Sequence, residues 1–416
     1  NGLGVSDVTP FAQMSEAAGG MLTGDSILFV DGFDRALKIP DKGYPGMSLQ
    51  NTESEKAIRG SNEGFGDSIK QNTALIRKRL RSVDLKVAEC KCGRRTGTNV
   101  DIMYLDGIVR PEIVTQMQQR LAAFEIDGIG DSGVIEQLTE TQWFSPFPQY
   151  QTTRRPDRVV MALLEGRAVL LADNSPEVLI FPTDYNSFIK TTDDYYTRWE
   201  IATFTRTLRY VAAFLSMILP GLYLAMTNFH TQLLPTKLLL SFAAARQGVP
   251  FPGVVEVLLM ELSFELLREA GVRLPGAMGN TIGIVGGLII GQAAVDANIV
   301  SPMVVIVVAF TALCSFAIPN EDFATAFRLL KFVFIVLSAA LGFYGFLLGL
   351  LILLIHLAQL ESFGMPYLMP FVGADLNDYR DERDSLVRPP LQALTHRPFY
   401  ANPKNRVRLR MKYKNR

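Results

Sequence analysis

Cysteine and histidine are scarce in this chain of 416 residues, with three of each. Cys90 and Cys92 form an isolated pair and Cys314 falls in an apolar segment, whereas a structural zinc site needs four ligands at characteristic spacing. The three histidines stand in separate parts of the sequence, so neither a zinc-protease motif nor a serine triad is visible. We therefore expect no enzymatic activity, no metal and no cofactor.

The chain also lacks a net charge, because 41 basic residues balance 41 acidic ones. No global field that would attract nucleic acid is implied, so we expect no nucleic-acid partner. Residues 60–66 are rich in glycine but lack the Gly-Lys-Ser/Thr ending of a phosphate-binding loop, which favours a loop that precedes a helix. The basic run 77–81 is interpreted as a solvated helix end, with binding of an anion or lipid headgroup as the alternative.

Long apolar runs are missing from the first 205 residues and concentrated after Arg209, although the mean hydropathy of the whole chain is only +0.18. A transmembrane helix needs about 20 mostly apolar residues. Four segments are interpreted as spans, which places both termini on the same side of the membrane: 208–227, 281–295 extended back through residue 279, 299–318 and 329–357.

The predicted fold is an α+β cytoplasmic head of two related α/β lobes, followed by an all-α polytopic membrane domain. The lobes are inferred from two similar apolar hairpins, at residues 24–40 and 166–182, each with an aspartate at its turn and a proline at its end. The proline-rich stretch 144–156 is predicted to link them. The predicted domains are a soluble N-terminal α/β part (1–145), a second-lobe hairpin with a juxtamembrane segment (146–205), a transmembrane domain of about four spans with an interfacial or re-entrant helix (206–360), and a basic cytoplasmic tail (361–416).

Three glutamates, Glu261, Glu265 and Glu269, recur every fourth residue in the otherwise apolar stretch 254–270, so they share one face of a helix. A carboxylate that faces lipid costs about 2.5 kcal/mol or more at the bilayer centre, so this face must meet an interface, protein or water. Flanking prolines favour an in-plane or re-entrant helix. The glutamates are candidates for a pore or cation pathway. The alternative is a structural role, in which Glu265 and Glu269 pair with arginines at positions 268 and 273.

Four glycines, Gly279, Gly283, Gly287 and Gly291, repeat every fourth residue and leave one side of the second predicted span bare. Such a stripe favours close helix packing. Gating is the alternative, in which helices of neighbouring subunits pivot along the stripe.

The segment 193–199 immediately precedes the first span and contains Tyr195, Tyr196 and Trp199, residue types that prefer the membrane interface. With Arg206 and the kink-forming Pro220, these residues are candidates for coupling the head to the pore, and simple anchoring is the alternative.

The flanks of the membrane domain are rich in Lys and Arg, which predicts that the head and the tail face the cytoplasm. In the tail, cations alternate strictly with other residues from position 404 to 416. This period predicts a strand with one basic face that docks on the head, and a disordered basic tail is the alternative. Membrane lipid is an expected partner.

Several stretches resemble the GerA family of spore germinant receptor A subunits. The resemblance covers nearly the whole chain, and its most specific parts are 40–46, 53–66, 72–81, 163–167, 193–196, 251–252, 261–271, 279–287 and 317–320.

The resemblance implies a non-enzymatic subunit in the inner membrane of a bacterial spore, with its head toward the spore core. It implies a homo-oligomeric, ring-shaped, nutrient-gated ion channel that releases monovalent cations to start germination. The implied partners are a transporter-like nutrient-binding B subunit and a lipoprotein C subunit. The alternatives are a related channel protein of the dipicolinate-release locus, or a non-conducting transporter-like or scaffold subunit.

Overall fold

The fold is taken from a computed structural model, which describes residues 8–22, 24–39, 55, 59–273, 277–373 and 384–410. Within 277–288, side chains are described only at positions 286 and 287. The motif 40–46 and the end of the alternating tail, 411–416, lie outside the described residues.

A small antiparallel sheet begins the chain. Its strands are β1 (Thr9–Phe11), β2 (Ser26–Leu28) and β3 (Ala36–Ile39), in the order β1-β3-β2, and helix α1 (Met14–Leu22) connects the first two. The first predicted hairpin is therefore present, with Ser26 opposite Ile39. Gly32 supplies the positive φ of 86° that its turn requires.

A five-stranded antiparallel sheet forms the centre of the head. It contains β4 (Leu85–Cys92), β5 (Thr98–Leu105), β6 (Gln151–Thr153), β7 (Ala168–Ala172) and β8 (Val178–Phe181), in the order β4-β5-β7-β8-β6. The second predicted hairpin is β7 and β8, but β7 also pairs with β5, so one sheet crosses the expected boundary at residue 145. The prediction of two related lobes is wrong in this respect. Every residue of β7 and β8 is buried, and such strands need neighbours on both edges as well as cover on both faces.

Helices cover both faces of this sheet. The helices of the head that follow the small sheet are α2 (Ile69–Arg79), α3 (Pro111–Ala122), α4 (Ser132–Thr139), α5 (Pro156–Leu164), α6 (Tyr185–Ile189) and α7 (Asp193–Tyr196). Val169 and Leu171 pack with α2 and α5, whereas Ala168 and Leu170 pack with α3 and α4, as the two-residue period of a strand requires.

The predicted linker, 144–156, is instead part of the core. It contains the edge strand β6, and Phe147 and Tyr150 are both fully buried. The prolines suggested a connection between lobes, but Phe147 packs against Phe323 and Phe327 of the last long helix, and Tyr150 packs in the core of the five-stranded sheet.

Six helices form the second part of the chain: α8 (Trp199–Asn228), α9 (Thr236–Ala245), α10 (Gly253–Arg273), α11 (Ala277–Asp296), α12 (Pro302–Phe316) and α13 (Glu321–Gln359). Within the described residues, α8 and α13 are long and apolar enough to cross a membrane. Helix α12 is apolar but has only 15 residues. The count of four spans therefore stays a prediction.

Helix α13 reverses direction at Gly342, where φ is 61° and ψ is −141°. The ring of Phe147 lies 5.9 Å from that of Phe323 and 6.2 Å from that of His356. In a straight helix, residues this far apart in sequence would be separated by about 50 Å. Its two arms, residues 321–341 and 343–359, therefore fold back on each other. The prediction of one continuous span at 329–357 is wrong. The sequence is apolar on both sides of Gly342, so its hydropathy does not reveal the reversal.

Helix α10 lies along the bundle rather than across its end. Near its start, Glu256 accepts a hydrogen bond from the backbone N–H of Ser301, just before α12 begins. Near its end, Arg268 donates to Ser315, in the last turn of α12. The two helices are thus parallel over most of their length. The in-plane or re-entrant placement of α10 in a membrane stays a prediction.

The tail returns to the head. Phe399 and Tyr400 join the core beneath β7, and Ala401 forms a β-bridge with Val109. The residues that pack into the head, 399–401, precede the alternating segment for which docking was predicted. In the described part of that segment, residues 406 and 408 bond to residues 397 and 395 of the tail itself, and 403–405 is a short 3₁₀ turn rather than part of a long strand. Two short strands, β9 (Glu361–Ser362) and β10 (Met365–Pro366), connect α13 to the tail.

Candidate functional site

A buried ion cluster joins the head to the start of α8. Asp194 is 1% exposed and accepts hydrogen bonds from Arg209 Nη2 at 2.7 Å and from Arg206 Nε at 3.3 Å. Burial opposes ionisation of this carboxyl, but the hydrogen bond and charge of Arg209, together with the charge of Arg206, hold its pKa below the usual value. The short helix α7 is thereby fixed to the first long apolar helix.

Arg206 is fully buried and extends the cluster to the tail. Its Nη1 donates to Asp384 Oδ1 at 2.7 Å, and the hydroxyl of Tyr195 donates to Asp384 Oδ2 at 2.7 Å. Burial works against the Asp384 carboxylate, yet Lys190 and Arg206 lower its pKa. We call Asp194, Tyr195, Arg206, Arg209 and Asp384 the joint, because they connect the head, α8 and the tail.

The coupling candidates divide between the joint and its surroundings. Tyr195 and Arg206 belong to the joint, whereas Tyr196 is 41% exposed and Trp199 is 40% exposed at the first turn of α8. Pro220 is buried in the middle of α8. Next to it, a Cβ on Gly221 would lie 2.9 Å from the Phe334 carbonyl oxygen, so α8 and the first arm of α13 are in close backbone contact there.

We expect Asp194→Asn to lower the midpoint of thermal unfolding at neutral pH, because Arg209 loses its carboxylate partner and the buried Arg206 keeps only its ion pair with Asp384. A carboxyl whose pKa is lowered by folding stabilises the fold above its unfolded pKa, about 3.9, and loses this effect as the pH falls through the folded value. The difference between wild type and variant should therefore shrink in acid. Thermal scans across pH measure it, with the exposed Asp34→Asn as the control; a difference that persists in strong acid contradicts the assignment.

A second charge cluster lies inside the helical bundle. Lys331, on the first arm of α13, is 2.5 Å from Glu261 Oε2 and 3.3 Å from Glu265 Oε1. Arg328, one turn earlier, is 3.9 Å from Glu265. Glu261 and Lys331 are 2% and 5% exposed, so the pair is held between α10 and α13 away from the surface.

Exposure increases along the glutamate face of α10. The side chain of Glu265 is 27% exposed, and that of Glu269 is 64% exposed and pairs with Arg273 at 2.5 Å. The expected pair of Glu269 with Arg273 is present at the exposed end of this face, whereas Glu265 pairs with cations of α13. Arg268 stacks on Phe316 and donates to Ser315.

The described glycines of α11 face neighbouring helices. A Cβ on Gly287 would lie 3.4 Å from Phe264 of α10, and one on Gly291 would lie 3.3 Å from Val305 of α12. These distances are those of close helix packing. Gly279 and Gly283 lie on the same helix, but their surroundings fall outside the described residues.

Sequence reasoning missed two essential partners. Lys331 falls inside a predicted span, where a lone cation would be costly, and this cost was the available signal that a carboxylate faces it. Asp384 gives no comparable signal, because it lies in an irregular charged segment of the tail.

The fold and these clusters define a class of protein: a mixed α/β head joined through buried ion pairs to an apolar helical domain with two candidate membrane helices. The chain belongs to the family described as Bacillus/Clostridium GerA spore germination protein, whose sequence profile matches residues 1–400.

Relatives agree with this assignment. Spore germination protein KA of Bacillus subtilis (strain 168) is 42% identical over 388 residues, which are 93% of this chain and 71% of that protein. Spore germination protein GerLA of Bacillus cereus is 38% identical and covers 97% and 81%, respectively. The uncharacterized membrane protein YfkQ of Bacillus subtilis (strain 168) is 42% identical over 402 residues, which are 96% of this chain and 77% of that protein.

Among solved structures, the chain is similar to the N-terminal domain of the A subunit of the Bacillus megaterium spore germinant receptor GerK3. The two are 34% identical, with a TM-score of 0.32, over 42% of this chain and 62% of that domain. The profile and the relatives by themselves place the chain among the spore germination A-subunit proteins.

Proposed function

We propose that this chain is the membrane subunit of a spore germinant receptor and oligomerises as a ring into a nutrient-gated channel for monovalent cations. The observation that carries the proposal is the graded glutamate face of α10, which runs from the buried Glu261–Lys331 pair to the exposed Glu269. Ionisable groups inside a membrane domain usually face a protein interior or a water-filled path. Rings of carboxylates are a common means of selecting cations.

Close packing supports a role for this face in opening. Helix α10 packs against the glycine-containing side of α11. Its Arg268 donates to Ser315 of α12, and its Glu261 accepts from Lys331 of α13. A movement of the first arm of α13 would separate Lys331 from Glu261 and Glu265, and would change how much carboxylate charge faces the ring centre.

The joint supports the path from head to channel. Arg206 lies on α8 and binds carboxylates of both the head and the tail, so a displacement of either segment acts directly on this helix. Gly221 then places α8 against the backbone of the first arm of α13, the helix that carries Lys331.

The proposed partners are a transporter-like B subunit that binds the nutrient and a lipoprotein C subunit. The proposed location is the spore inner membrane, with head and tail toward the spore core. The family and the relatives named for spore germination support this assignment, and the tail that packs into the head supports placing both on one side.

Potassium flux from liposomes tests the channel, with the full chain reconstituted together with its transporter-like subunit and lipoprotein. We expect nutrient-dependent flux that falls when both Glu265 and Glu269 are changed to Gln, since the path then loses the two carboxylates that are not buried. Glu112→Gln, in the first turn of α3 in the head, is the matched control. Native mass measurement of the same sample establishes the oligomer.

Two results would contradict the proposal. A monomer, or a complex without conductance in any liganded state, removes the channel. Ion release that persists unchanged after substitution of Glu261, Glu265 and the α11 glycines favours a scaffold subunit instead.

A further inference from the structure

Two neighbouring aromatic side chains project from the head into open space. Trp143 is 80% exposed and Phe144 is 74% exposed. Their rings pack edge to face with centroids 5.7 Å apart, so they form one apolar projection rather than two separate side chains. Exposed apolar surface of this kind marks a contact site more often than an isolated exposed residue does.

The loop that carries the pair is hydrogen-bonded to the end of α13. On one side of the pair, Gln142 Nε2 donates to the Gln359 carbonyl oxygen at 3.3 Å. On the other side, Ser145 Oγ lies 2.8 Å from His356 Nε2. Because these hydrogen bonds flank the pair, Trp143 and Phe144 stay at the level at which the second arm of α13 ends.

That level is the edge of a continuous apolar surface. Near the end of the arm, the aliphatic residues on the outer side are about half exposed, and polar residues then appear at positions 356, 359, 361 and 362. The exposed aliphatic residues are Leu351, Ile352, Leu354 and Ile355. A helix surface of this composition faces lipid, so the change to polar residues marks the boundary of the hydrocarbon.

We propose that Trp143 and Phe144 insert into the headgroup boundary of the bilayer and seat the head on the membrane. The inference rests on the membrane placement of α13 in the proposed function. An indole has a broad apolar ring and one N–H donor, which suits a site that is apolar on one side and wet on the other. The occupant is lipid, since the pair continues the lipid-facing surface of α13.

Tryptophan fluorescence of the full chain in liposomes tests this placement. The chain has two tryptophans, so Trp199→Phe leaves Trp143 as the single reporter. We expect a blue-shifted emission, strong quenching by lipids brominated near the headgroup end of the chain, and weak quenching by aqueous iodide. The matched control is Arg95→Trp in a chain without Trp143 and Trp199. Arg95 is exposed in the β4–β5 turn at the opposite end of the sheet, and its reporter should be quenched by iodide and not by brominated lipid.

Two outcomes overturn the proposal. Iodide quenching of Trp143 as strong as that of the control places the pair in water. Protection from both quenchers that is lost when the oligomer dissociates makes the pair a contact between copies of the chain. Potassium flux from liposomes that hold the unsubstituted chain with its transporter-like subunit and lipoprotein reports on the channel separately. Absence of this flux with intact lipid quenching of Trp143 contradicts the proposed function and leaves the membrane contact standing.

Discussion

Replacing Lys331 with Met should lower the free energy of unfolding by about 3–5 kcal/mol, since removal of one partner leaves an uncompensated buried charge. Glu261 is 2% exposed, and in the described part of the chain it forms its ion pair with Lys331 at 2.5 Å. The variant thus retains a carboxylate in an apolar bundle without its counter-charge. Unfolding in mixed detergent micelles, followed by circular dichroism, measures the change.

The double variant Lys331→Met with Glu261→Gln distinguishes charge from shape. It removes both charges at similar volume, so we expect it to recover most of the lost stability. Arg273→Met, which breaks the exposed pair with Glu269, is the matched control and should cost at most about 0.5 kcal/mol. If Lys331→Met and Arg273→Met lower the free energy of unfolding equally, the buried pair does not hold α10 to α13.

The second large effect is expected at the reversal of α13. Gly342 adopts φ 61° and ψ −141°, which is close to a region that only glycine occupies readily, and an alanine there costs about 1–3 kcal/mol in strain. Its Cβ would also lie 2.7 Å from Cγ of Phe229, and such overpacking adds about 1–3 kcal/mol. We expect Gly342→Ala to reduce both the unfolding midpoint and the yield of folded protein.

Two further variants separate strain from overpacking. Gly364 has a φ of 72° and no atom within 4 Å of an added Cβ, so Gly364→Ala reports strain alone. Gly342→Ala combined with Phe229→Ala removes the contact and keeps the strain. An unfolding midpoint for Gly342→Ala that matches wild type would mean that residues 321–359 are not folded back at this position.

Local patterns were sufficient to predict many elements. The apolar stretches, the two hairpins and the helix between the glycine-rich loop at 60–66 and the basic run 77–81 follow from local patterns, and the structure contains all of them. Pairing between distant strands was not predictable in this way. The contact of β5 with β7 depends on which edges remain open after each hairpin forms, and this information lies in the whole sheet.

The candidate site shows the same division. The spacing of Glu261, Glu265 and Glu269 predicts one helical face, because a helix repeats every 3.6 residues. The partner Lys331 is 70 residues from Glu261 in sequence, so no local period relates them. In the same way, Tyr195 and Arg206 were candidates for coupling from their position before the first span, but Asp384, which binds both, comes from the tail.

The sequence by itself therefore determined the family, the division into a mixed head and an apolar helical domain, and the acidic face of α10, since each depends on residues that are close in the chain. Only the tertiary structure decided that α13 folds back at Gly342, that Lys331 neutralises Glu261, and that the head, α8 and the tail meet at Arg206. The physical reason is that burial of a charge or a backbone reversal is settled by what packs against it, and those neighbours come from distant parts of the chain.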